Sequence, residues 1–236
     1  KSTVSDSNGQ HKAHETTLPN GIKVVLLRDD SNPAVSIRIA HQGGKRYETR
    51  ETEGIMNFIA QVLPKGAGSL DEAQIFNKVE DMGGRLAGFS GQDSFGLSAT
   101  FFSRFVDDGL ELLATIHKDP TFPGDKVDRE RALIINRIKT EPDRPIQYVF
   151  SELNKVLFKN HPYGFNKEGS LSAVAGFSPS DLKEVYKRFA VPSNTVITVV
   201  GEMDPEKTLK KITELFGSIP PTKFDAPKVT PEAPLK

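Results

Sequence analysis

The only imidazoles in the chain are His11, His14, His41, His117 and His161, and cysteine is absent. No two histidines stand four apart, so no helix offers imidazoles from successive turns to one zinc ion. His11 and His14 are three apart in residues 1–16, a stretch almost without apolar side chains. A loose tail is expected there, not a metal site. The lack of cysteine excludes disulfides, thiolate zinc sites and thiol nucleophiles. A serine nucleophile has no Gly-x-Ser-x-Gly turn to stand on, and Gly88-Phe89-Ser90-Gly91 does not supply one. Neither phosphate-cradling glycine pattern occurs.

Composition narrows the field further. Thirty-one basic and 31 acidic residues among 236 leave no basic excess for a dedicated nucleic-acid surface. Charged residues at 26% and hydrophobic ones at 36% describe a globular chain. No apolar run approaches the roughly 20 residues of a membrane span, so none is expected. The chain opens on Lys1 without a signal-peptide core, which fits a removed leader or a piece of a longer protein. The composition does not fix the compartment; a periplasmic or other extracytoplasmic site is the expectation.

These few groups must be positioned by a mixed set of elements. Thr17 opens a strand, a Pro-Asn-Gly turn, and a second strand over Ile22 to Leu27. AVSIRIAHQGG, from Ala34, alternates as a half-buried strand does. Apolar spacing predicts helices over Glu53 to Leu63, from Ser69 or Asp71 to Gly83-Gly84, Arg104 to Lys118, Asp125 to Lys139, and Ile146 to Phe158. RLAGFSG and SFGLSATFF read as strands about a Gln92-Asp93 turn. NHPYGFNKEG is a loop, SPSDLKEVYKRF a capped helix, NTVITVVGEMD a β-branched strand, and DPEKTLKKITELFGSI the last helix. The fold class is α+β, a mostly antiparallel sheet with helices packed on it. The expected plan is a tail over 1–16, one domain over 17–219 and a proline-rich linker over 220–236.

Several blocks then act together. TLPNGIKVVLLRD, HQGGKRYE, ETEGIMNFIAQVLPKGAGSLDEAQI, RERALIINRIKTEPDRP, NHPYG and FSPSDLKEVYKRFAVPSNTVITVVGEMDPEK resemble the inverted zinc metallopeptidases: the pitrilysin, insulin-degrading enzyme and mitochondrial processing peptidase family. The likeness runs from about Glu15 to Ile219 and implies a processing-peptidase-like metallohydrolase fold. Active members carry His-x-x-Glu-His on the first helix. Two imidazoles share a face, and the Glu between them holds the water that zinc activates. A second Glu on a later helix completes the ligands.

At these positions the chain departs from the family. Asn57 and Gln61 stand for the histidines and Ala60 for the general base. The spacing to the last ligand, counted from Gln61 as 137 − 61 = 76 residues, reaches Arg137. Amides are poor zinc ligands, a methyl moves no proton, and a guanidinium has no lone pair to give. The resemblance therefore implies a domain with no catalytic residue and no metal of its own. Zinc is expected only in an active partner. Arg137 and the two amides are expected to form a hydrogen-bonded plug, with Glu130 and Glu141 as candidate counter-ions; a solvated Arg137 is the alternative.

In the family a peptide is held as an added strand on a sheet edge, which corresponds here to Arg85, Leu86, Ala87, Gly88 and Phe89. An ordinary edge strand is the plainer reading. His161 belongs to a block read as structural, with Tyr163 packed on the body. The implied partner is a homologous peptidase domain or subunit, with peptide segments as further ligands. The chain would build a chamber wall for that partner. Two alternatives stand beside this: a structural or interaction protein of the same fold with no proteolytic partner, and a hydrolase using unrelated residues.

Overall fold

Period-two alternation in the sequence becomes one twisted sheet with its apolar face under helices. The computed structural model describes residues 2–5 and 12–229. In chain order the elements are β1 (Ser2–Ser5), β2 (Lys12–Thr17), β3 (Lys23–Arg28), β4 (Ala34–Gln42), α1 (Ile55–Val62), β5 (Gly66–Ala67), β6 (Leu70–Asp71), α2 (Glu72–Asp81), β7 (Arg85–Ser90) and β8 (Ser94–Phe102). They continue with α3 (Val106–Lys118), α4 (Gly124–Lys139), α5 (Pro145–Leu157), α6 (Leu171–Gly176), α7 (Pro179–Phe189), β9 (Thr195–Gly201) and α8 (Pro205–Phe216).

The main sheet has the order β1-β2-β3-β9-β4-β8-β7 among the described residues. Every neighbouring pair is antiparallel except β3 with β9. In β4, Val35, Ile37, Ile39 and His41 point into the core, while Ser36, Arg38 and Gln42 face solvent. β9 repeats the pattern with Thr195, Ile197 and Val199 inside. The core that they share with α1, α3, α7 and α8 includes Phe58, Phe95, Phe101 and Phe216, all at most 1% exposed. Helix boundaries follow local chemistry. Asp71 caps α2 in a reciprocal capping box with Gln74, and Ser178 does the same for α7 with Asp181.

Two expectations change, and one element is new. β2 pairs with β3 in register His14↔Leu26 to Thr17↔Lys23 and with β1 in register Ser2↔Glu15 to Ser5↔Lys12, so both described parts of the expected tail over 1–16 are strands. A sheet neighbour supplies the hydrogen bonds that a chain without apolar side chains does not demand on its own. His11 and the rest of Asp6–His11 lie outside the described residues. The segment after α8 has no regular structure up to residue 229, yet its beginning is docked. The Phe224 ring lies 5.4 Å from that of Phe189, and Ser193 Oγ accepts from Phe224 N at 2.7 Å while donating to Thr222 O. Residues 230–236 of the expected linker lie outside the described residues. The short helix α6 was not anticipated at all. Among the described residues no helix is long and apolar enough to cross a membrane.

Candidate functional site

Gly54, at φ 90°, turns the chain through the left-handed region that glycine enters without steric cost and starts α1. A Cβ on it would lie 2.5 Å from Gly169 Cα, so two glycines let the start of α1 approach the loop before α6. Glu48 caps the same end. Its carboxylate accepts from Gly54 N at 2.9 Å and Met56 N at 3.0 Å, filling two donors that a helix start leaves open. Burial pushes the Glu48 carboxyl up to about 8, against the pull of those two N–H groups.

The loop is pinned over that end of α1. Asn166 N donates to Glu53 Oε1 at 2.9 Å, and Glu168 N donates to Asn166 Oδ1 at 2.9 Å. Lys45, only 8% exposed, donates to Phe165 O at 2.9 Å. This aims Glu168 at the two helices that would carry a metal. Asn57 Nδ2 donates to Glu168 Oε2 at 3.2 Å, and Arg137 Nε donates to the same oxygen at 2.9 Å. One carboxylate oxygen thus ties α1 to α4.

The expected plug is present in part, with a different counter-ion. Arg137 reaches Asn57 through Glu168; Gln61, half-buried, takes no side-chain hydrogen bond there among the described residues. Glu130 is 5% exposed and pairs with Lys65 at 3.1 Å, which also holds Glu72. Glu141 accepts from Asn166 Nδ2 at 2.5 Å. Neither candidate is the partner of Arg137, because each is already held by a nearer donor. Sequence reasoning missed Glu168. The Asn166-to-Gly169 turn, with Gly169 at φ 92°, was legible as a turn. Nothing local says that it closes on a helix 111 residues earlier.

These residues do not fit a zinc ion. Asn57 already donates its amide N–H groups toward Glu168. Ala60 is fully buried and offers only a methyl. The carboxylate that Asn57 contacts is paired with the Arg137 guanidinium, and that cation would repel a divalent ion. Among the described residues no three His, Cys, Asp or Glu side chains converge in a metal-binding group.

The predicted strand residues are at a sheet edge. β7 pairs with β8 on one side, in register Arg85↔Thr100 to Ser90↔Phe95, and stands last in the strand order. Arg85 and Ala87 are exposed, and Phe89 lies under the Arg38 guanidinium, 4.0 Å from its ring centre. Leu86 and Gly88 turn to the other face, beneath α1. A Cβ on Gly88 would fall 1.8 Å from the Ala60 carbonyl oxygen. The glycine is what lets α1 lie directly on the edge strand.

His41, His117 and His161 make contacts within the fold. His161 Nδ1 accepts from Tyr163 N at 3.1 Å, and the Tyr163 hydroxyl donates to Asp93 at 2.6 Å, which fastens this loop to the β7–β8 turn. His41 and His117 are buried with ring centres 5.3 Å apart. Tyr186 Oη bonds His117 Nδ1 at 3.1 Å and donates to its carbonyl at 3.0 Å. Burial lowers both imidazoles, His117 to about 4.

Comparison with known proteins agrees with this architecture. A family model described as Insulinase (Peptidase family M16) matches residues 23–168. A second, described as Peptidase M16 inactive domain, matches residues 176–236, a stretch that holds none of Asn57, Ala60, Gln61 and Arg137. The chain is 25% identical over 202 residues to the uncharacterised zinc protease YmxG of Bacillus subtilis, covering 86% of this chain and 49% of that protein. It is 25% identical over 204 residues to a probable mitochondrial-processing peptidase subunit beta of Arabidopsis thaliana, covering 86% and 38%. A solved peptidase M16 inactive domain from Pseudomonas fluorescens superposes with a TM-score of 0.85 at 20% identity, covering 94% of this chain and 54% of that one. The chain therefore spans half or less of the length of these two relatives. On the family match over 23–168, the chain belongs to peptidase family M16.

Proposed function

We propose that this chain is a zinc-less, non-catalytic domain of an M16 peptidase, which walls a chamber and holds peptide for an active homologous domain or subunit. The observation that carries the reading is the Asn57–Glu168–Arg137 array in the place of a metal centre. The donor set there opposes a divalent cation, and Ala60 gives no group to move a proton. Zinc and hydrolysis then belong to the partner. β7 keeps what a bound strand would need, since strand addition draws on backbone N–H and C=O groups and not on the lost side chains.

An apolar stripe supports a partner. In α5, Val149, Leu153 and Val156 recur at helical spacing outside the cavity that Ile146 and Phe150 line, and are 62%, 46% and 63% exposed. A contiguous exposed stripe of this kind is a feature of association surfaces. The partner domain lies in the same polypeptide or in a separate subunit, and the protein works outside the cytoplasm.

The test is purification of the tagged protein from its source, with identification of what accompanies it. A homologue bearing an intact His-x-x-Glu-His, together with chelator-sensitive peptide cleavage by the complex and none by this chain, is the expected result. A stable complex without any such homologue, or without cleavage, contradicts the reading.

A further inference from the structure

A cavity of about 440 Å³ opens beside the Glu168–Arg137 pair. Its walls are the flank of α5 that carries Gln147, Ser151 and Asn154, and the loop that carries Phe165 and Lys167. Cations outnumber carboxylates around it: Lys45, Arg137, Arg144 and Lys167 against Glu141 and Glu168. Both carboxylates already accept, Glu168 from Asn57 and Arg137 and Glu141 from Asn166. Lys45 is engaged as well, donating to Phe165 O with Glu48 and Glu53 nearby.

Arg137 is held by Glu168, and its Nη2 is buried away from solvent. The side chains of Arg144 and Lys167 form no ion pair among the described residues. Arg144 and Lys167 are exposed, and an oxygen anion in the cavity would give them a charge-assisted acceptor. The same cavity exposes apolar wall, with Ile146 71% and Phe150 61% accessible. A single negative charge on an apolar group meets both demands. A dianion meets them less well, because Glu141 and Glu168 stand in the same wall and repel the second charge.

We propose that this cavity binds the C-terminal carboxylate of a peptide that ends in an apolar residue, with Arg144 and Lys167 reading the carboxylate and Phe150 contacting the terminal side chain. The site is distinct from the edge strand β7 and needs no partner domain, so it stands whether or not the neighbour is a peptidase. An internal Asp or Glu side chain offers the same charge, and the test separates the two sources.

The experiment is fluorescence anisotropy of the 236-residue chain with a labelled alanine peptide ending in phenylalanine, as the free acid, as the C-terminal amide, and as the amide with one internal glutamate. The free acid is expected to bind at least about tenfold more tightly than either amide. Arg144→Ala with Lys167→Ala is expected to remove that preference while leaving the melting temperature unchanged, and Phe150→Ala to weaken acid and amide together. Equal binding of acid and plain amide, or no binding of the acid, overturns the site. Equal binding of the acid and the glutamate-bearing amide overturns its assignment to a chain terminus. A free-acid preference that survives loss of both cations overturns the assignment to these residues.

Discussion

Arg137 Nε lies 2.9 Å from Glu168 Oε2, and the same oxygen takes the Asn57 amide at 3.2 Å. The helix that would carry the paired histidines of an active relative and the helix that would carry the last carboxylate are therefore joined by a group from neither. The electrostatic sense is inverted. An active site of this family gathers ligands around a cation, whereas here the cation is covalently part of α4 and the anion comes from the loop.

Glu168→Ala should destabilise the protein by about 1–3 kcal/mol, because it leaves the 4%-exposed Asn57 amide and the Arg137 guanidinium without an acceptor. Glu168→Gln keeps one acceptor oxygen and the packing, and should cost less. The pair itself is partly solvated, at 30% and 26% side-chain exposure, so its own contribution is under about 1 kcal/mol and most of the loss comes from the stranded partners. Urea unfolding of the two variants checks the order.

Gly88→Ala should cost about 1–3 kcal/mol, since its Cβ would fall 1.8 Å from the Ala60 carbonyl oxygen and α1 must lift from β7. Ala87→Ser, on the exposed face of the same strand, should change little. Equal melting temperatures for the two variants would contradict the close helix-on-strand contact.

Stability should be lost on both sides of a near-neutral optimum. His41 and His117 are neutral in the fold well below the ordinary value of about 6.5, with His117 held down to about 4 by burial. Below about pH 6.5 the unfolded chain takes protons that the fold refuses, so stability falls as pH drops toward 4, by on the order of 3 kcal/mol for His117. Glu48 acts in the opposite sense. The fold keeps its proton up to about 8 while the unfolded chain loses it near 4.5, so its part of the stability declines as pH rises between those values. His117→Leu should flatten the acid limb, with the Tyr186 hydroxyl still bonded to the backbone carbonyl of residue 117. Glu48→Gln should flatten the other limb. Urea midpoints from pH 4.5 to 8 read both.

Val149→Glu with Leu153→Glu places charge on two residues of α5 that are 62% and 46% exposed. The folded chain should keep its stability within about 0.5 kcal/mol and lose association with the homologous partner proposed above. Size-exclusion chromatography of the co-expressed pair separates this outcome from retained binding, which would remove α5 from the interface.

How far the sequence foretold all this varies by element. Local signals were sufficient for α2, where Asp71 and Gln74 form the cap and Gly83 at φ 60° ends the helix, and for the alternation of β4. Strand order was not legible. β9 inserts between β3 and β4 and runs parallel to β3, a choice made by long-range burial and not by any turn. β2 escaped because KAHETT carries little apolar character, and a strand of this kind is recruited by the hydrogen-bonding edge beside it. At the site, the positions of Asn57, Ala60, Gln61 and Arg137 followed from the family pattern. Glu168 did not, since a glutamate in a glycine-bounded loop is by itself an ordinary solvated residue.

The central claim is most directly tested by zinc content measured on the dialysed chain by mass spectrometry, with cleavage of a generic peptide followed in parallel with and without chelator. The account predicts zinc far below one ion per chain and no chelator-sensitive cleavage. One tightly held zinc per chain, with cleavage that stops on chelation and fails in an Arg137 or Asn57 variant, would contradict it.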